Sequence, residues 1–523
     1  MNATGLMRRT ARLSMVVLAA SLALQSTSAP VSAQARGNAQ APPATPGVKL
    51  VEKMPDAAPP RPFPFPTPVS KTLPSGLRVF VVSAHARGPN VPVDPAVSVE
   101  MLIRNAGSGR DPQNKPGLAG FTGDLLRQGT GKRTAQEIAA AIDFVGGTLS
   151  AGAGRDSTTL GVTVVKKDFA LGMDLLSDIT LHAKFAPEEI ARRQQRSLSG
   201  FRSRYEDADY LASAVFRRTV FGMTAYGMPP DGTPASVSAI TRDDLVAFRD
   251  QYYVPNETIM AFAGDITPEE AFAAAEKYFG AWEKKTVTPP TIAPPEQPGG
   301  LRILVVDMPD AVQTQIRVGR LGIPRNHPDF LPLAVTNYIF GGGFNSRLNA
   351  ETRVNRGLTY GASSAFAGAL YAGDFVADTY TRTEATVETT KVILDEIRKM
   401  AGGDVTGEEL TVARDYLSGV FVIATETPNQ VAGRVTNAAF YGLPDDYNQT
   451  YPAKVRAMTA EQVQQMAGRY FDANSQNLVL VGNASAFRDG LKAAFPAAKY
   501  EEISADELDL MSPNLRKAAA AAR

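Results

Sequence analysis

The stretch SVSAITRDDLVAFRDQYYVPNETIMAFAG, residues 236–264, recurs 218 positions later as KVRAMTAEQVQQMAGRYFDANSQNLVLVG, residues 454–482. Each copy is typical of a capped helix, a turn at an asparagine and an apolar strand that ends at glycine. A period this long excludes a solenoid and predicts a duplicated domain. The two copies are identical at Val237 and Val455, Ala239 and Ala457, Thr241 and Thr459, Tyr252 and Tyr470, Asn256 and Asn474, and Gly264 and Gly482.

The rest of each half predicts strands and helices in separate runs. Glu188-Glu189 and Glu408-Glu409 stand 220 residues apart, each pair at the start of a long amphipathic pattern. Runs of strands followed by runs of helices favour an α+β fold over strict βαβ alternation. We therefore predict two homologous domains, each a mixed β-sheet with packed helices. The expected strands are 78–82, 96–104, 148–153, 157–165, 302–307 and 314–319. The expected helices are 117–127, 135–144, 328–339, 346–354 and long helices from Asp168 onward.

The segment PGLAGFTGDLLRQGT, residues 116–130, resembles the metal-binding helix of the M16 (insulinase or pitrilysin) peptidases. Their inverted zinc motif, H-x-x-E-H, lies within a stretch close to G-L-A-H-F-x-E-H-x-x-x-x-G-T. On that pattern Gly120 and Asp124 occupy the two histidine positions, and Gly123 occupies the position of the general base. The segment FAPEEIARRQQRSLSGFR, residues 185–202, resembles the later helix that carries the glutamate ligand, which falls on Gly200.

The resemblance therefore implies a zinc site whose ligands are all missing. A catalytic zinc needs three protein ligands drawn from His, Cys and carboxylates. The chain has no cysteine, and its three histidines, His85, His182 and His327, stand far apart in the sequence. We expect no metal and no catalytic residue in this chain, and zinc only in a partner subunit.

The segment GGGFNSRLNAETRVNRGLTYGASS, residues 341–364, resembles an M16 stretch that pairs an arginine with a tyrosine seven residues later. These residues are Arg353 and Tyr360. In two-chain members of the family the zinc-free subunit presents this pair to the substrate, where a guanidinium and a phenol can hold a peptide carbonyl. A salt bridge for Arg353 and a half-buried strand position for Tyr360 are the plain structural alternatives.

One further segment bears on peptide binding, and another indicates a charged helix face. The residues Thr148, Leu149, Ser150 and Ala151 follow Gly146-Gly147 and are similar to the M16 edge strand on which substrate peptides add as an extra strand. An ordinary paired strand explains them equally well. The arginines at 192, 193 and 196 indicate a basic helix face that meets solvent or a carboxylate.

The N-terminus predicts export. Three arginines precede an apolar run from Leu13 to Leu24 and the small-residue sequence ending at Ala33, as in a secretory signal peptide too short to span a membrane. Its removal takes away three positive and no negative charges, moving the formal charge from +1 to −2. Such a balance argues against nucleic acid or anionic membrane as the main partner. The absence of cysteine excludes disulfides, and a periplasmic location fits best.

The predicted organisation has six parts. They are a signal peptide at 1–33, a Pro/Ala-rich tether at 34–68, an N-terminal M16-like domain at 69–285, a linker at 286–300, a C-terminal M16-like domain at 301–498 and a frayed tail at 499–523. The resemblance covers residues 69–498 and implies that the two domains form one half of a clamshell.

Two functions remain open at this point. One is a non-catalytic subunit of an exported M16-type peptidase, pairing with a zinc-bearing homologue as a heterodimer or heterotetramer that cuts peptides. The other is a zinc-free structural or peptide-binding scaffold with no proteolytic role. New chemistry is a weaker option, because no Ser/His/Asp or Cys/His arrangement has supporting local sequence.

Overall fold

The structure is a computed structural model of the 523-residue chain and describes residues 64–84, 94–297 and 299–518. All described residues belong to one compact unit. The expected signal peptide, most of the expected tether and His85 lie outside the described residues. Within the described part, no helix is long and apolar enough to cross a membrane.

The first half of the chain forms a six-stranded sheet. Its strands are β1 (Val69–Thr72), β2 (Arg78–Ser83), β3 (Ala96–Arg104), β4 (Thr148–Ala153), β5 (Ser157–Val165) and β6 (Thr258–Gly264). Its helices are α1 (Leu118–Leu125), α2 (Ala135–Phe144), α3 (Phe169–His182), α4 (Pro187–Tyr205), α5 (Ala208–Phe221), α6 (Pro234–Ala239), α7 (Arg242–Tyr252) and α8 (Pro268–Phe279). The strand order is β1-β2-β6-β3-β5-β4, so β4 lies at one edge.

The second half repeats this arrangement. Its strands are β7 (Arg302–Asp307), β8 (Gln313–Leu321), β9 (Ala362–Ala367), β10 (Asp374–Arg382), β11 (Asn477–Gly482) and β12 (Lys499–Ser504), in the order β12-β7-β11-β8-β10-β9. Its helices are α9 (Phe330–Asn337), α10 (Arg347–Asn349), α11 (Thr386–Ala401), α12 (Gly407–Ile423), α13 (Pro428–Phe440), α14 (Tyr447–Arg456), α15 (Ala460–Tyr470) and α16 (Ala484–Ala494). Wider helical turns continue α9 through Tyr338–Gly342 and α10 through Ala350–Asn355.

The repeated stretch that predicted the duplication begins each time with the same cap. Thr241 accepts from the Asp244 amide at the start of α7, and Thr459 accepts from the Gln462 amide at the start of α15, with the reciprocal half of the capping box present in both. The strand that follows is β6 in one half and β11 in the other, each buried along its whole length. The predicted pair of homologous α+β domains is confirmed.

Each sheet is covered on one face by a helix from the other half of the chain. On β6, Met260 and Phe262 belong to the core of the first half, whereas Ala261 and Ala263 pack with residues of α13. On β11 the side chains that alternate with those of the second-half core, Val479 and Val481, pack with residues of α5. Because successive side chains of a strand point to opposite faces, α5 and α13 are exchanged between the halves.

The expectation of a frayed tail after Ala498 is wrong for the described residues up to 518. Residues 499–504 form β12, which pairs in parallel with β7. Beyond it, Leu508, Leu510 and Leu515 are buried in the cluster that contains α5. The acid-rich composition of this segment hid the apolar residues that alternate with its charges.

Candidate functional site

Helix α1 starts at a turn that only glycine adopts readily. Gly117 has a φ of 95°, and the Asp111 carboxylate accepts hydrogen bonds of 2.7 Å from the amides of Gly117 and Ala119. Asp111 thus caps the helix from outside it. The surrounding protein removes water from Asp111 and raises its pKa to about 8, although both hydrogen bonds act in the opposite direction.

A cavity of about 340 Å³ lies beside α1 at the position of the expected metal site. Helices α1, α4 and α5 and the turn between β4 and β5 contribute to its wall. The residues that line it are Ser108, Gly117, Gly120, Phe121, Asp124, Ala153, Gly154, Arg155, Arg193, Arg217, Ala225, Tyr226, Met228, Pro230 and Asp231. Two of the four degenerate metal positions, Gly120 and Asp124, are therefore brought together here.

The Asp124 carboxylate is held by an arginine. Arg193 on α4 places its Nε 2.9 Å and its Nη2 2.8 Å from Asp124 Oδ2, and its guanidinium carbon lies 4.6 Å from the centre of the Phe121 ring. The basic face expected on α4 thus meets carboxylates, since Arg193 pairs with Asp124 and Arg192 Nη1 lies 2.7 Å from Glu189 Oε1. The Asp124 carboxylate is therefore neutralised by the guanidinium of Arg193.

At Gly123, the position of the lost general base, the backbone of β4 leaves no room for a side chain. A Cβ on Gly123 would lie 2.8 Å from the Ala153 nitrogen and 3.0 Å from the Gly152 carbonyl carbon, so α1 touches β4 here more closely than any side chain allows. Gly200 differs, since a Cβ there would meet nothing within 4 Å, and it is not among the residues that line the cavity. The residue that α4 contributes to the cavity is Arg193 instead.

These residues do not fit a zinc ion. Three of the four positions are glycines without a donor side chain, and the fourth is ion-paired to Arg193. Among residues 64–84, 94–297 and 299–518, no group of three His, Cys, Asp or Glu side chains is placed to hold a metal. A metal-bound water therefore has no support from the groups that surround this cavity.

Arg353 and Tyr360 come together at the surface of the second half. The Arg353 guanidinium carbon lies 4.9 Å from the centre of the Tyr360 ring and 4.9 Å from that of the Phe344 ring. Tyr360 is 75% exposed, Phe344 is 72% exposed and Arg353 is partly buried, so two aromatic rings at the surface hold the guanidinium in place. Phe344, from the glycine-rich segment 341–364, is a member of this cluster that the sequence comparison did not single out.

The predicted peptide-binding residues Thr148, Leu149, Ser150 and Ala151 lie on β4, the edge strand of the first sheet. The Leu149 carbonyl accepts a 3.0 Å hydrogen bond from Arg127 Nη1. A peptide that adds to β4 at Leu149 would have to displace that guanidinium.

Two cavity residues were missed by the sequence reasoning. Arg155 lies in the turn between β4 and β5, and Arg217 lies on α5 within the otherwise apolar stretch AVFRRTVF. Adjacent arginines in an apolar helix were the available signal. The second of them, Arg218, donates hydrogen bonds of 2.9 Å to the carbonyls of Leu510 and Ser512 and so fastens the C-terminal segment.

Helix α12 presents an apolar stripe to solvent. Val412, Tyr416, Val420 and Ile423 recur at helical spacing and are all exposed. The Tyr416 ring stacks on Tyr338 at 4.7 Å between ring centres. A contiguous exposed apolar patch on a water-soluble surface is typical of a contact site for another protein.

Comparison with known proteins agrees with this architecture. Residues 89–227 match the family described as insulinase (peptidase family M16), and residues 239–417 match the peptidase M16 inactive domain. An uncharacterized zinc protease of Mycobacterium leprae is 30% identical over 404 residues, covering 76% of this chain and 87% of that protein. One from Mycobacterium tuberculosis is 28% identical over 423 residues, covering 79% and 93%.

Two solved structures share the fold. The peptidase M16 inactive domain from Pseudomonas fluorescens superposes with a TM-score of 0.73 at 26% identity, covering 79% of this chain and 98% of that one. A protease from Helicobacter pylori superposes with a TM-score of 0.73 at 20% identity, covering 80% and 100%. The relatives are named as zinc proteases, whereas the cavity described above has no histidine or cysteine in its lining, and its two carboxylates, Asp124 and Asp231, are ion-paired to arginines.

Proposed function

The chain belongs to the M16 peptidase family as a non-catalytic member, and from that premise we propose that it is the zinc-free subunit of an exported peptidase. Its partner is a zinc-bearing M16 homologue with an intact H-x-x-E-H motif, in a heterodimer or heterotetramer. This chain contributes a wall of the peptide chamber and the Arg353/Tyr360 pair. The signal-like N-terminus supports a periplasmic location for the assembly.

The main support for the proposal is a contrast between the former metal positions of the first half and the Arg353/Tyr360 pair of the second. The metal positions of the first half are glycines or ion-paired, and position 123 is closed by the backbone of β4. The Arg353/Tyr360 pair of the second half is complete, with Arg353 held against Phe344 and the Tyr360 side chain exposed. A chain whose former metal positions lack zinc ligands but whose second half presents donors for a peptide carbonyl is suited to assist a site on another molecule.

The exposed stripe of α12 supports a protein partner. Four apolar side chains on one helix face are costly to leave in water, at about 25 cal/mol for each Å² of apolar area. A homologue of the same fold offers the extended surface that such a stripe needs. The same observation also fits the alternative, a scaffold subunit in an assembly that contains no peptidase.

The experiment compares two arginines in the assembled pair. The chain is purified with a zinc-bearing homologue, and cleavage of a fluorogenic peptide is measured for wild type, Arg353→Ala and Arg356→Ala. We expect Arg353→Ala to lower kcat/KM by about 100-fold, as for the loss of one oxyanion donor. Arg356 is the control, because it lies three residues away and bonds Glu351 at 2.7 Å on the surface.

Equal rates for the two variants would remove the role of Arg353. Zinc bound at one equivalent to the lone chain, or peptide cleavage by it, would refute the proposal as a whole. A stable native complex that contains no zinc-bearing homologue, resolved by size-exclusion chromatography with light scattering, would favour the scaffold.

A further inference from the structure

The cavity beside α1 carries more positive than negative charge. Five ionised side chains line it, the cations Arg155, Arg193 and Arg217 and the anions Asp124 and Asp231. Both anions already have a partner, since Asp124 is bound by Arg193 and Asp231 accepts a 2.8 Å hydrogen bond from Arg204 Nη1. Arg155 and Arg217 are therefore left to share whatever negative charge remains nearby.

The carboxylates that act electrostatically on these two guanidiniums are Asp374, Asp231 and Asp156. Arg155 Nη1 lies 3.7 Å from Asp374 Oδ1, which is longer than a hydrogen bond. Among the described residues, Arg217 has no ion pair and no hydrogen bond from its guanidinium. Asp156 makes no direct bond to either guanidinium, because its two oxygens accept from the Tyr226 hydroxyl and from the Leu370 amide.

The Arg155 guanidinium is held in place before any ligand arrives, and Arg217 starts from a rigid helix. Arg155 stacks on Phe221 and Tyr226, with its guanidinium carbon 5.3 Å and 5.0 Å from the ring centres. Arg217 extends from α5, a helix packed between the halves of the chain. Little side-chain entropy is then lost when an anion binds.

The surroundings make an unpaired charge at Arg217 unfavourable. Burial, followed by the positive charge of Arg155, lowers the pKa of the Arg217 guanidinium. Since arginine does not deprotonate in proteins, the cost is relieved by an anion. A guanidinium fork matches the paired oxygens of a carboxylate or a phosphate.

We propose that this cavity is an oxyanion-binding site in which Arg217 and Arg155 hold a carboxylate or phosphate group. Its volume of about 340 Å³ accommodates phosphate or the last residue of a peptide with its free carboxylate. The inference is independent of the partner subunit and of the Arg353/Tyr360 pair.

The test is isothermal titration of the purified chain with three probes at constant ionic strength. They are acetyl-trialanine with a free carboxylate, the same peptide as its C-terminal amide, and inorganic phosphate. We expect saturable binding of the free carboxylate, of phosphate or of both at one equivalent, and none of the amide. Binding of the carboxylate alone assigns the site to peptide ends, and binding of phosphate alone assigns it to phosphate.

Three variants locate the site. Arg217→Met should weaken binding by about tenfold or more, the size of a hydrogen bond to a charged group. Arg192→Met, on the exposed face of α4, is the matched control and should leave affinity unchanged. Gly120→Leu places an apolar side chain in the cavity without altering its charge, and the added Cβ would meet only the Pro230 oxygen at 3.5 Å. This variant should abolish binding, and it tests the site even if Arg217→Met does not fold.

Equal binding of acid and amide would overturn the proposal. So would the absence of saturable binding of either anion, equal losses in Arg217→Met and Arg192→Met, or full affinity in Gly120→Leu.

Discussion

Adding one methyl group at position 123 tests whether the former metal site is closed. A Cβ there would lie 2.8 Å from the Ala153 nitrogen and 3.0 Å from the Gly152 carbonyl carbon, and both atoms belong to the backbone of β4. Neither can rotate away as a side chain would, so α1 or β4 must shift. Overpacking of this kind costs about 1–3 kcal/mol.

Gly200→Ala is the matched control. It makes the same chemical change within α4, where the added Cβ would meet nothing within 4 Å. Replacing glycine by alanine in a helix gains about 1 kcal/mol of unfolding free energy. Because that gain is similar in the two variants, the difference between them isolates the steric cost, and we expect Gly123→Ala to be less stable by about 1–3 kcal/mol.

Thermal unfolding followed by circular dichroism provides the measurement. At about 2.1 cal/mol/K of unfolding entropy per residue, a cooperative unit of this size shifts by about 1 °C for each kcal/mol, so Gly200→Ala should raise Tm slightly and Gly123→Ala should melt about 1–3 °C below it. If Gly123→Ala melts at or above Gly200→Ala, the contact between α1 and β4 is absent. The claim that a general base has no room at position 123 then fails with it.

Two further predictions follow from the cap of α1 and from the C-terminal segment. The pKa of Asp111 is raised to about 8, so the folded protein keeps a proton that the unfolded chain releases above about pH 4. The stability due to Asp111 is therefore complete at low pH and is lost as pH rises toward 8. In urea denaturation, the advantage of wild type over Asp111→Asn should shrink by about 1 kcal/mol per pH unit between pH 5 and 8, and a constant difference would contradict this pKa. Truncation after Ala498 removes β12 and three buried leucines, so we expect loss of the cooperative melting transition, and a native-like melting curve for the truncated protein would show that the segment is dispensable.

Local pattern predicted several strands of this fold but not β1, β9, β10 or β12. The ranges 96–104, 148–153, 157–165 and 302–307 have the bounds that the structure gives, because their apolar residues either alternate or form short bounded runs. The helices near 328–339 and 346–354 were found, but they are divided into α-helix and a wider turn, which periodicity does not distinguish.

The site was predicted only in part. Missing donors at Gly120, Gly123 and Gly200 are visible in the sequence. The Arg193–Asp124 ion pair joins residues 69 positions apart, and the contact of Gly123 with β4 depends on how a helix lies against a strand edge. Such contacts are set by tertiary packing, so no local pattern contains them. The same applies to Arg217, whose lack of a partner is a property of the assembled cavity.

The exchange of α5 and α13 limits how this molecule can move. The segment 286–300 has the composition of a hinge, yet each sheet is covered by a helix that the opposite half supplies. Bending at that segment would expose the apolar faces of both sheets to water, because α5 and α13 would be pulled away from them. In the proposed assembly with a zinc-bearing partner, a peptide would therefore enter when whole subunits separate, because this chain moves as one rigid body.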